Sequence, residues 1–167
     1  MEIQTDRTLI RPFKKQDLLS LHILHSDPEL MQHMPFGQRK NVEKTKQDIE
    51  NYISFYDKYG FSKMAIIDLS TNDLIGRAGY SYLPESNELE LGYLLAKEYQ
   101  GKGMATEVGK ALINYAFNNL KLNRLVAFTS LENFASQRVL EKCGMKFYKI
   151  EEIFGMIAKF YEIKNEI

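Results

Sequence analysis

The chain has 167 residues, with 22 Lys and Arg against 22 Asp and Glu, so its formal net charge is zero. That balance argues against a partner held by a global electrostatic field, nucleic acid included. A hydrophobic content of 44% with only 4 Pro and 10 Gly excludes a disordered or fibrous chain, and the length predicts one domain over residues 1–167. The single cysteine, Cys143, excludes an intrachain disulfide and fits a reducing compartment. The start carries Glu2 and Asp6 where a signal peptide needs a basic end and an apolar run. The uncharged stretch Ala111–Leu120 is ten residues long, well short of the ~18–20 needed to cross a bilayer. The chain is therefore expected in the cytoplasm, with no membrane and no nucleic-acid partner.

Thr8–Phe13 reads as a short strand that Pro12 helps to end. Asp17–His25, with Leu18, Leu21 and Leu24 apolar, predicts a short helix. Asp27-Pro28 and Met34-Pro35-Phe36-Gly37 mark turns. Val42–Tyr59 predicts a second helix with Val42, Ile49, Tyr52, Ile53 and Tyr56 on one face, stopped at Gly60. Phe61–Leu69 and Leu74–Leu83 form a strand pair around Ser70-Thr71-Asn72-Asp73, and Glu88–Leu95 is the next strand. A long helix over Met104–Asn119 has Val108, Ala111, Leu112, Tyr115 and Ala116 as its buried stripe. Leu125–Ser130 is an apolar strand expected to be buried on both faces. Asn133–Cys143 is a helix, capped by Asn133 and stopped by Gly144. Phe147–Phe154 and Met156–Ile163 predict a closing hairpin around Gly155. The order β-α-α-β-β-β-α-β-α-β-β is that of a single α/β domain with a mixed sheet.

One segment carries chemistry. The strand ending at Leu95 runs into Gln100-Gly101-Lys102-Gly103-Met104-Ala105-Thr106, which opens the long helix. The first amides of a helix lack intrahelical acceptors and sit at the positive end of its dipole. Glycines let the backbone approach a large anion, so the pattern points to a phosphate site. It is not a P-loop, because Met104 follows Gly103 where Lys-Ser or Lys-Thr is needed. It is not a dinucleotide fingerprint either, because Thr106 stands at the third glycine position.

Gln100-x-x-Gly103-x-Ala105 resembles the acetyl-CoA signature of the GCN5-related N-acetyltransferase (GNAT) family. Asn133-x-x-Ser136 through Glu141-Lys142-Cys143-Gly144-Met145 is similar to that family's second block. Arg7–Pro12, Asp27–Met31 and Leu74-Ile75-Gly76-x-x-Gly79 are similar to its RimJ/RimL-like branch, which acetylates protein amino termini and other amines. The resemblance implies a mixed, mainly antiparallel twisted sheet with a bulge in Glu88–Leu95 and a splay between that strand and Leu125–Ser130. It implies acetyl-CoA as co-substrate and no metal. Leu94 and Leu95 would pair with pantetheine through their backbones. Amides of Gly101, Lys102, Gly103, Met104, Ala105 and Thr106 would hold the pyrophosphate. Gln100 would act partly on loop geometry, and Asn133 both as cap and at the cofactor.

The acceptor would be a primary amine, either a protein N-terminus or a small molecule, and a homodimer is left open. Glu90, on the splayed strand, is the candidate proton acceptor, and Glu88 shares its face. Leu140 occupies the position where many members carry a tyrosine acid, which leaves Ser136 as the nearest hydroxyl in the block. Cys143 reads as a buried structural thiol. His33, Met34 and Phe36, with Tyr80 and Tyr82, are candidates for the acceptor cleft. The leading expectation is direct acetyl transfer to an amine. The second, motivated by Leu140, is a catalytically silent CoA-binding module on the same fold. A nucleotide-binding protein is the third.

Overall fold

The computed structural model describes residues 1–166. Its strands are β1 (Ile3–Gln4), β2 (Thr8–Arg11), β3 (Lys63–Asp68), β4 (Leu74–Tyr82), β5 (Leu89–Leu95), β6 (Arg124–Ser130), β7 (Lys146–Ile153) and β8 (Met156–Lys164). Its helices are α1 (Leu18–His25), α2 (Val42–Tyr59), α3 (Met104–Asn118) and α4 (Phe134–Lys142). Most ends follow local chemistry. The Asn41 side chain accepts from the Lys44 amide to start α2, and Gly60 stops it at φ 76°. Asn133 Oδ1 accepts from the Ser136 amide at 3.2 Å to start α4. The strand expected to run to Phe13 ends at Arg11 instead, since Pro12 has no amide to give the ladder. β1, not anticipated from the sequence, is two residues pinned by Ile3 opposite Ile10.

The strands form one open eight-stranded sheet in the order β1-β2-β3-β4-β5-β6-β8-β7. Every neighbouring pair is antiparallel except β5 and β6, which run parallel. That parallel pair is in register only at Glu90 and Val126, so residues 91–95 of β5 have no ladder partner on β6. The two strands separate towards their carboxyl ends, where α3 follows β5 and α4 follows β6. The bulge expected in β5 is absent. Its register against β4 is unbroken from Gly76 opposite Leu95 to Tyr82 opposite Leu89. The gap therefore comes from loss of pairing to β6 rather than from an inserted residue.

The main core lies between the sheet and α3, with Ile66, Ile75, Tyr80, Leu91, Val108, Leu112 and Leu125 buried in it. The buried stripe of α3 is Met104, Val108, Gly109, Leu112, Ile113 and Ala116. Ala111 and Tyr115, placed in that stripe from the sequence, are only half-buried. The helix is rotated because it also packs on α4. A Cβ on Gly109 would lie 2.7 Å from Cys143 Sγ, so this contact needs glycine. A smaller cluster of Leu21, Ile49, Ala65 and Ile67 joins α1 and α2 to the other sheet face.

Candidate active site

The gap between β5 and β6 meets two cavities with a shared wall. One, of about 440 Å³, is lined by the end of β5, the loop before α3 and the first turns of α3 and α4. The other, of about 350 Å³, lies among β3, β4, β5, α2 and the loop carrying His33–Phe36. His33, Met34, Tyr93, Asn133 and Ser136 line both. A molecule lying in the first cavity can thus present one end to the second.

The first cavity is shaped for an anion. Gly103 is the N-cap of α3, at φ 77°, and it supplies no side-chain cap. The first helical bond runs from the Glu107 amide to the Gly103 carbonyl at 3.0 Å. The amides of Met104, Ala105 and Thr106 precede that bond and have no intrahelical acceptor. Gly101 also has a positive φ, 73°. Arg7 fixes this loop from outside. Its guanidinium donates to the Lys102 carbonyl at 2.9 Å and to Glu107 at 2.7 Å. Gln100 donates Nε2 to the Leu95 carbonyl at 2.8 Å, tying the loop to the end of β5.

Leu94, Leu95, Gln100, Gly101, Gly103, Ala105, Thr106, Asn133 and Ser136 all line this cavity. Lys102 and Met104 do not. The Met104 side chain is buried in the core, and Lys102 Nζ lies over the Tyr99 ring. Arg138 and Lys142 also line the cavity, and neither has a carboxylate partner among the described residues. Amides, a helix dipole and local cations together fit the phosphates of a CoA molecule.

Glu90 stands where β5 and β6 part. It is 6% exposed and ion-paired to Lys63 at 2.8 Å. Both Lys63 Nζ and Ser81 Oγ donate to its Oε2. Burial, with a smaller effect from Arg77, holds the Lys63 ammonium below the usual lysine value despite the Glu90 charge. A Cβ on Gly92 would meet Lys63 Nζ at 2.5 Å and Glu90 Oε1 at 2.7 Å. Glycine at 92 is therefore what leaves room for this pair. Glu88 makes no such contact with the cleft; it ion-pairs with Arg124 of β6.

On the opposite face of β5, the Tyr93 hydroxyl lies 2.9 Å from Ser136 Oγ. Burial pushes the Tyr93 phenol up to about 12, so it stays protonated. Leu140 is buried nearby at the rim of the second cavity. A phenol thus reaches the first turn of α4 from the strand, although the helix position itself carries leucine. Sequence reasoning missed Tyr93, Lys63 and Arg77. A lone Lys or Arg within an apolar strand was the available signal, since such residues are rarely buried without a partner.

His33, Met34, Phe36, Tyr80 and Tyr82 all line the second cavity. Cys143 is buried, and burial raises its thiol to about 11, which makes it a poor nucleophile. Among the described residues, no group of three or more His, Cys, Asp and Glu could hold a metal ion. No helix among them is long and apolar enough to cross a membrane.

Comparison with known proteins agrees with this geometry. A family model described as an acetyltransferase (GNAT) domain matches residues 7–146. The uncharacterised N-acetyltransferase YnaD of Bacillus subtilis is 31% identical over 147 residues, covering 87% of this chain and 83% of the relative. A GNAT-family acetyltransferase from Bacillus anthracis superposes with a TM-score of 0.86 at 28% identity, covering 98% of each chain. The ribosomal L7/L12 α-N-protein acetyltransferase RimL, solved in complex with coenzyme A, gives a TM-score of 0.83 over 98% of each chain. At 18% identity that last likeness is one of fold.

Proposed function

The chain belongs to the GNAT acetyltransferase family, and from that premise we propose that it transfers the acetyl group of acetyl-CoA directly to a primary amine across the β5–β6 gap. The observation that carries this reading is the uncapped start of α3, opening on a cavity that shares a wall with a second one. Acetyl-CoA supplies the activated acyl group. The residues that would hold it are the amides of 101–106, the backbone of Leu94 and Leu95, and Asn133, with Arg138 as a local cation. Holding thioester and amine side by side would supply much of the rate.

The acceptor must attack as a free amine. An α-amine titrates at roughly 7.7–8.0 and a lysine-like amine at ~10.4, so the latter needs more help. Glu90 would accept the proton through Oε1, the oxygen that neither Lys63 nor Ser81 hydrogen-bonds. The Lys63 ammonium beside it disfavours a second cation, which favours the neutral amine. As the C–S bond breaks, Ser136 would protonate the departing thiolate, and Tyr93 would hold the serine hydroxyl in line. The acceptor class is a protein N-terminus or a small amine.

Isothermal titration with acetyl-CoA, followed by CoA-release assays on an amine panel, tests this reading. Saturable binding and amine-dependent release are expected. Absence of binding would refute it.

A further inference from the structure

The second cavity is not neutral. Arg39, Lys63 and Arg77 line it, against Glu90 as the only carboxylate among the described residues. Lys63 is matched by Glu90, and Arg39 is paired with Asp48 at 2.9 Å. Arg77 has no carboxylate within ion-pair distance among the described residues. It sits in the middle of β4, between Ala65 and Leu94 on the neighbouring strands.

Its orientation is fixed from behind. Arg77 Nε donates to His25 Nε2 at 2.9 Å, and His25 Nδ1 lies 3.0 Å from Asp48 Oδ2. An Nε2 that accepts from arginine carries no proton, so His25 is neutral and its Nδ1–H points at Asp48. Among the described residues the Nη2 group has only the Met34 thioether, at 3.8 Å, and Nη1 has no partner. The guanidinium edge formed by Nη1 and Nη2 is therefore the free one. That edge matches two oxygens of a planar or tetrahedral oxyanion. Tyr52, Phe55, Tyr82, Phe36 and Phe154 line the same cavity and make much of its wall aromatic.

We propose that the acceptor amine carries an oxyanion, a carboxylate or a phosphoryl group, which Arg77 binds through its free edge, while an apolar body packs on the aromatic wall. Large apolar amino acids have this chemistry, and polyamines are excluded by it. The inference rests on the acetyltransferase reading and deepens it. His25 is then a positioning residue that aims Arg77.

The test compares kcat/KM at saturating acetyl-CoA for phenylalanine against phenylalaninamide and for ethanolamine phosphate against ethanolamine, with spermidine as the polycation. Phenylalaninamide has the more easily deprotonated amine, so a preference for the free acid runs against intrinsic reactivity. The oxyanion-bearing member of at least one pair is expected to be favoured by about tenfold or more, as a charge-assisted bidentate contact implies. Which pair responds tells carboxylate from phosphoryl recognition. The ratio should fall towards one in Arg77→Gln and be partly kept in Arg77→Lys, with acetyl-CoA affinity unchanged in both. Equal rates within both pairs, preference for spermidine, no turnover of either oxyanion-bearing amine, or an unchanged ratio in Arg77→Gln would each overturn the proposal. Acetyl-CoA binding measured alongside separates this from failure of the acetyltransferase reading itself.

Discussion

Gly103 has a backbone that other residues adopt only under strain, with φ at 77°. A Cβ there would meet no protein atom closer than Arg7 Nη2 at 3.7 Å. Crowding by the protein is thus not the reason for glycine; the left-handed conformation is, and it also leaves the backbone open for the proposed phosphate contact. Gly103→Val should weaken acetyl-CoA binding by about tenfold or more, given a strain of roughly 1–3 kcal/mol, as read by calorimetry. Ser136→Ala should lower kcat by about 10²-fold, the lower range for a lost proton donor, with KM for acetyl-CoA little changed. Tyr93→Phe should lower kcat by less, since it removes only the partner of that hydroxyl. Equal kcat in both variants and the parent would remove the pair from the reaction. The glycine loop and the Asn133 cap were legible in the sequence because local spacing sets them, and the resemblance placed Glu90 and Ser136 at the cleft where they lie. Lys63, Arg77 and Tyr93 were not, because three separate segments must come together before they meet Glu90, His25 and Ser136.

At the scale of elements, His25 links α1, α2 and β4 through Asp48 and Arg77. Burial, then the charges of Arg77 and Arg39, hold its pKa below the usual 6.5, although Asp48 opposes this. The folded form therefore keeps His25 neutral while the unfolded chain protonates it near 6.5. Stability is full above that value and falls as pH drops through it towards the lower folded pKa, by up to about 1.4 kcal/mol per pH unit. Melting curves between about pH 7.5 and pH 5.5 should show this slope, and His25→Gln should flatten it. An identical slope in the variant would assign the titration elsewhere. Helix starts and stops were readable from Gly60, Asn133 and Gly144 because caps act within a turn, whereas the Asn41 cap came only with the structure. The rotation of α3 was not, since it depends on Gly109 meeting Cys143 from another helix. The break in pairing between β5 and β6 was likewise invisible to periodicity, which reports faces and not neighbours.

For the whole molecule, the decisive feature is a sheet that pairs in parallel at a single register and then opens towards two helix N-termini. Ligands of open α/β sheets gather at the carboxyl ends of strands for the same reason. A polyanion can be held there by oriented amides and a few local cations, which reconciles such a ligand with a net charge of zero. Acetyl-CoA at about 100 times its Kd should add ~2.7 kcal/mol of stability, or roughly 5–10 °C in Tm for a chain of this size. The most direct test of transfer across the gap is the initial rate of CoA release over a grid of acetyl-CoA and amine concentrations. Direct transfer within one complex predicts amine-dependent rates whose double-reciprocal lines intersect; parallel lines, or release that does not depend on the amine, would contradict it.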